Sequence, residues 1–310
     1  MRKNINTENI KGRVYDHDLT LKTVQNQTSA NYGKPFIQGS ISVATDDAGL
    51  NVIPVHYTYV TEMTKNNKPN ITYSNLKKVM EGKTWVNDGP EQAMKVRLVP
   101  SIALNDFYPN GGDELVSQVR NEGGFVNIIN DLGEDNEKRR EFKLDVVING
   151  VEFVENDEED YVKVRCAAFN FRNDLLPLTL VAKESASAGS VNYFMNLDFD
   201  DGPVYTNVWG EIVNTTVKIE KTIESAFGTP TVDVSERSQR EYVITGARPE
   251  PYVFDDAETM TVKELEEAIA KRNIYLEEVK TRAKEYYANQ ESSTPTSNEN
   301  SNIPEGGFNF

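Results

Sequence analysis

GKPFIQGSISVATDDAGLNVIPVHYTYVTE, residues 33 to 62, reads as two long strands joined by a short turn. In the first arm Ile37, Ile41 and Val43 point one way while Phe36, Gln38, Ser40 and Ser42 point the other, the period of a strand with one buried face. Asp46-Asp47-Ala48-Gly49 supplies residues that tolerate turn geometry, and the arm from Asn51 to Thr61 then sets His56, Tyr57 and Tyr59 among β-branched residues. An aromatic hairpin with one wet face is a platform for a ligand; the plain alternative is that each tyrosine is ordinary strand filler.

Working outward, residues 10 to 24 read as a strand ahead of the hairpin. After it come a Lys- and Asn-rich loop (TKNNKPN) and a short helix capped by Ser74 that stops at Gly82. MKVRLVPSIALNDFY (94–108) reads as a fourth strand interrupted near Pro100. LVSQVRNEGGFVNII (115–129) reads as a fifth, its glycine pair marking a bulge or close approach. Three strands, a helix and two strands is the element order of an OB-fold, a small Greek-key barrel that binds oligonucleotides on its strand 2 and 3 face. The order returns over 160–247: strands at 160–171 and 175–184, a short helix in SAGSVNYFMNLD, and strands in VYTNVWGEIVNTTVKIEKTI and REYVITGARPEP. The fold class expected is therefore mainly β, with OB-fold-like barrels in tandem, a long C-terminal amphipathic helix and a disordered tail. The expected domains are 1–130, 131–258, the helix 259–290 and the tail 291–310.

The helix is announced by a capping box, Thr261 with Glu264, and by Leu265, Ile269, Leu276, Val279 and Tyr286 near helical spacing. It either packs in cis or pairs with a second copy in a homo-oligomer. Beyond it, ESSTPTSNENSNIPEGGFNF holds too little apolar surface to fold alone.

Composition bounds the function. The net charge is −16, which argues against a polyanionic partner, yet the acid is segregated: residues 1–130 hold 14 Lys and Arg against 13 Asp and Glu, and the other 180 hold 19 against 36. Local potential decides such binding more than the whole-chain sum. The single cysteine, Cys166, lies in the apolar strand YVKVRCAAF and reads as a core residue; with only two histidines no metal site is expected. No phosphate-binding glycine loop, nucleophile-elbow serine or paired-histidine metalloprotease motif occurs, so no enzyme and no cofactor are expected. There is no apolar run of membrane-spanning length and no secretory leader, which sets the expected location in the cytoplasm.

The segments VHYTYV, TKNNKP, TWVNDGP and ALNDFYPNGG, with the barrel order before them and the linker and apolar tip after them, resemble the single-stranded-DNA-binding proteins of bacteria and their phages, and the larger phage- and mobile-element-encoded members in particular. The resemblance implies non-sequence-specific binding and protection of single-stranded DNA during replication or recombination in a bacterial host. Partner proteins would be recruited through the tip, by Ile303, Pro304, Phe308 and Phe310. The tip departs from the bacterial pattern, since Ile303-Pro304 is followed by Glu305-Gly306-Gly307 and no aspartate run precedes it. Expected base-stacking residues are Phe36, Tyr57, Tyr59, Trp85 (with a core role as its alternative) and Tyr108; expected phosphate contacts are Lys34, Lys65, Lys68, Lys77, Lys78, Lys83 and Arg97. In the second half Phe171, Arg172 and Trp209 are candidate contacts, but the surrounding acid fits a structural or partner-binding domain equally well. The rival reading is a β-rich virion protein without DNA-binding activity.

Overall fold

A computed structural model describes the backbone of residues 4–157, 159–223 and 231–293, and the side chains of these except 137, 215–239 and 290–293. The first half is built from β1 (Asn6–His17), β2 (Thr20–Thr23), β3 (Pro35–Ala44), β4 (Val52–Thr61), α1 (Ile71–Met80), α2 (Trp85–Asp88), β5 (Lys95–Phe107) and β6 (Val116–Ile128). β1 runs antiparallel to β3 and to β5, β3 antiparallel to β4, and β4 parallel to β6 at Val55↔Asn121; β6 lies beside β5 and closes the circuit. A five-stranded circuit whose third and fifth strands pair in parallel is the OB topology. Closure brings backbones together. A Cβ on Gly12 of β1 would lie 2.1 Å from the Ala44 carbonyl oxygen, and one on Gly124 of β6 would lie 1.8 Å from that of Val99, so glycine is needed at both.

Tyr73, Leu76 and Val79 of α1 are buried in the core of this barrel. Its cap is Asn70, whose side chain accepts from the Thr72 amide; the expected cap, Ser74, sits one turn inside and donates its hydroxyl to the Asn70 carbonyl. An Asx side chain at Asn70 meets the first free amides before Ser74 can. Pro100 does not interrupt β5, which runs through it from Lys95 to Phe107.

The second half repeats the circuit with β7 (Arg140–Val154), β8 (Tyr161–Phe169), β9 (Leu175–Lys183), α3 (Ser190–Met195), β10 (Val204–Ile223) and β11 (Thr231–Ala247). β7 pairs with β8 and β10, β8 with β9 and β10 with β11, all antiparallel, while β9 and β11 pair in parallel at Val243↔Val181. Cys166 is buried in β8 as a core residue, where burial pushes its thiol up to about 12.

The two barrels share one sheet. β1 pairs antiparallel with β7 from Asn6↔Leu144 to Ile10↔Arg140, and a single apolar cluster runs from Ile10 and Val14 to Ile212 and Ile244. Polar contacts fix the register: the Ile5 amide donates to Asp145 Oδ2 at 2.7 Å, and Asn214 Nδ2 donates to the Val52 carbonyl at 2.7 Å. Within the seam Glu8 is buried, and the Tyr242 hydroxyl lies 3.2 Å from Glu8 Oε1 and 2.8 Å from Asn121 Oδ1. Asn121 is oriented by its own amide, which donates to the Pro54 carbonyl. Tyr242 has one proton for two acceptors; it donates to Asn121, and the contact with Glu8 is completed by a proton on the carboxyl.

α4 (Val262–Ser293) begins with the expected capping box, the Thr261 amide donating to Glu264 Oε2 at 2.9 Å and the Glu264 amide to Thr261 Oγ1 at 3.1 Å. Leu265 and Ala268 bury against Val147, Phe169 and Tyr205, so the start of the helix packs in cis. Ile269 and Tyr286, expected on the apolar stripe, are exposed. Of the described residues, Asn273–Ser293 group with Asn105–Gln118 as a separate compact unit. In that unit Lys280 and Lys284 both pair with Asp113, at 2.8 and 3.2 Å. No helix among the described residues is long and apolar enough to cross a membrane.

Burial raises the Glu8 carboxyl to about 8, against a smaller opposing pull from the Arg240 charge. The folded chain therefore holds a proton that the unfolded chain releases above the ordinary value of 4.5, and stability falls as pH rises from there through about 8. Glu8→Gln keeps a donor for Tyr242 and removes the titration. The expected result is that thermal unfolding midpoints of the two proteins diverge with rising pH, Gln becoming the more stable; a difference that is flat between pH 5 and about 8 would mean that Glu8 is ionised throughout.

Candidate nucleic-acid interface

The outer face of β3 and β4 is built by alternation. Ile37, Ile41 and Val43 of β3, and Ile53, Val55 and Tyr57 of β4, go to the core; Ser40 lies opposite His56 and Ser42 opposite Pro54 on the other side. A bulge between Ile37 and Gly39 shifts the register, and Gly39 at φ +129° lets the Asp18 backbone lie against it, with Asp18 Oδ1 accepting the Ser40 hydroxyl at 2.9 Å. His56 is held below its ordinary value, first by burial and then by the Arg120 charge, so at neutral pH it brings no charge to this face.

At the far end of the hairpin three expected contacts come together. The rings of Phe36 and Tyr59 lie 4.8 Å apart with planes inclined at 43°, and Tyr59 is 48% exposed. Asn31 donates to the Tyr59 hydroxyl at 3.4 Å and accepts from Lys34 Nζ at 3.1 Å, which ties the cation to the aromatic pair. Lys65 and Lys68 are exposed in the loop that leaves β4 at Thr61, the residue paired with Phe36, and a Met63↔Pro69 bridge closes that loop. These five residues form one end of the face.

The other expected contacts lie elsewhere. Tyr57 is 2% exposed, a core residue whose phenol burial pushes well up; strict alternation with Ile53 and Val55 turns it inward, so it cannot stack on a base. Tyr108 belongs to the second compact unit, 8% exposed with Lys280 Nζ 5.8 Å from its ring centroid, and it too is closed to a base. Trp85, the first residue of α2, is half-buried: its ring packs on Gly49 in the β3–β4 turn and stands 6.0 Å from Tyr15. The same turn is pinned by Asp47, which accepts Arg13 at 2.8 Å and Arg139 at 3.1 Å, and these two cations hold its carboxyl below the ordinary range. Lys77 and Lys78 are exposed in the last turn of α1, where they also complement the helix dipole, and Lys83 bonds to Gln92. Arg97 stands on the outer side of β5, its Nε donating to Asn9 Oδ1 at 2.8 Å. Ile303, Pro304, Phe308 and Phe310 lie outside the described residues.

In the second barrel β8 occupies the place of β3. Tyr161, Lys163 and Arg165 alternate there with buried Val162, Val164 and Cys166, a face that went unremarked in the sequence although YVKVRC shows its period. Its charge is largely compensated, Arg165 pairing with Glu152 and Lys183 with Glu241. Phe171, 73% exposed with the Arg172 guanidinium 5.0 Å from its centroid, projects from the turn into β9. No group of metal-ligating side chains occurs among the described residues.

No curated protein shows significant similarity to the sequence. Among solved structures, the single-stranded DNA binding protein from Thermus aquaticus is similar at 11% identity and a TM-score of 0.47, over 83% of this chain and 97% of that one. A deletion variant of that protein gives 12% identity and 0.46, over 83% and 99%. A replication protein A heterotrimer bound to ssDNA gives 10% identity and 0.17, over 87% of this chain and 70% of that chain. The sequence model of the YorF family matches residues 4–282, through both barrels and most of α4, and the chain belongs to the YorF family.

Proposed function

We propose that this protein binds single-stranded DNA without reading its sequence, using the outer face of β3 and β4 as its first contact region. The observation that carries the reading is the Phe36–Tyr59 pair with Lys34 tied beside it, on the strand 2 and 3 face that OB barrels offer to oligonucleotides. Every base has a π-face, so an exposed ring pair stacks bases of any identity, at about 1–3 kcal/mol per stacked base. Lys34, Lys65 and Lys68 follow the phosphates. The activity is non-covalent and needs no cofactor.

The finer reading rests on the sequence resemblance: protection of single strands in replication or recombination of a phage or mobile element, in a bacterial cytoplasm, with Ile303, Pro304, Phe308 and Phe310 docking into a pocket on a partner protein. Removing residues 303–310 is expected to leave ssDNA affinity unchanged and to abolish capture of replication or recombination proteins; capture that survives the deletion refutes the docking role.

Oligo(dT) should bind more tightly than duplex of equal length, with a log–log salt slope of about −2 to −4 if three to five phosphates are neutralised. Equal affinity for the two forms defeats the proposal. Within the interface, Tyr59→Ala should cost on the order of 1–3 kcal/mol of ssDNA affinity with little loss of stability. Trp85→Ala, by opening the packing on Gly49, should do the reverse and lower stability by about 2 kcal/mol. Calorimetric unfolding read beside fluorescence anisotropy separates the two effects.

A further inference from the structure

An open cleft of about 730 Å³ lies on the outer side of the seam sheet, lined from β1, β5, β7, β10 and β11, and Arg97 of the first barrel and Trp209 of the second both line it. Trp209 stands opposite Lys143 on β7 and opposite Gly246 on β11. A Cβ on Gly246 would meet three indole atoms at 2.4 to 2.6 Å, so the glycine faces the plane of the ring. One face of the indole is thus held on the β11 backbone while the side chain remains 41% exposed. A large ring fixed on one face and open on the other is a stacking surface.

The charges around it are arranged to suit a phosphodiester. Arg97 spends its Nε on Asn9 at 2.8 Å, and neither Arg97 nor Lys143 has an ion-pair partner among the described residues. The four carboxyl groups of the lining are engaged: Glu8 lies 3.2 Å from the Tyr242 hydroxyl, Glu211 pairs with Arg140 at 3.0 Å, Asp135 with Lys138 at 2.9 Å, and Glu141 accepts from Asn9 Nδ2 at 3.0 Å. β5 and β10 are separated by β1 and β7, three strand steps or about 14 Å, which accommodates more than one nucleotide.

We propose that the cleft is a second site for single-stranded nucleic acid, with a base stacked on Trp209 and neighbouring phosphates on Lys143 and Arg97, so that one strand engages both barrels. The inference rests on the ssDNA-binding reading and adds a place that the β3–β4 face does not include. It is testable because the chain has two tryptophans. In Trp85→Phe, Trp209 is the sole indole, and its emission is followed during titration with end-labelled oligo(dT) while label anisotropy reports binding. Quenching that tracks the anisotropy curve is expected. Arg97→Ala with Lys143→Ala is expected to lower affinity about tenfold and remove most of the quenching, and Trp209→Ala in the otherwise unaltered chain to lower affinity by a similar factor. Binding by anisotropy with unchanged Trp209 emission and undiminished affinity in these variants overturns the cleft and leaves the ssDNA reading standing. No anisotropy change at all overturns both.

Discussion

β1 is the strand on which both barrels depend. It has three neighbours in succession, β7 over Asn6–Ile10, β5 over Ile10–Arg13 and β3 over Arg13–His17. A strand leaving one neighbour for another must curl, and the irregularity between Val14 and Asp16 together with the bare backbone of Gly12 allow it to do so. Without the second barrel, the amides and carbonyls of Asn6–Ile10 would lose the β7 ladder and present an open edge. The tandem arrangement is therefore a requirement of the first barrel's own first strand.

The seam is polar where an apolar contact would have been simpler. Glu8, Asn121 and Tyr242 come from three strands and two barrels, and each limits what the others can do: the Asn121 amide is committed to Pro54, so its oxygen must accept, and Tyr242 must donate to it. A buried network whose groups can pair in few ways, and in which Glu8 Oε2 already lacks a partner among the described residues, penalises a slipped register more heavily than methyl groups would. Its cost is a carboxyl kept protonated near neutral pH.

Net charge misleads for this chain. The acid lies mostly in the second half, and several of its members are spent on ion pairs within the chain: Glu152 on Arg165, Glu211 on Arg140, Glu241 on Lys183. What a polyanion meets is local. Lys34 stands beside an aromatic pair, and Lys143 stands opposite an indole with Arg97 on the same cleft, in a protein of charge −16.

The sequence by itself determined the elements. Period-two alternation in β3 and in YVKVRC, the glycine pair in β6 and the Thr261–Glu264 box are local signals, and each appears in the structure where its residues stand, because backbone sterics and capping act over a few residues. Phe36, Tyr59 and Lys34 were legible as candidate contacts by residue type, but their meeting at one end of a face was not. Tertiary structure alone decided which aromatics remain available. Tyr57 and Tyr59 are two residues apart on one strand and should share a side, yet one is core and the other open, because the alternation of β4 ends after Tyr57. It alone placed Arg97 and Trp209, 112 positions apart in the chain, in one cleft, since that juxtaposition depends on β1 pairing with β7, a contact between barrels that no local pattern encodes.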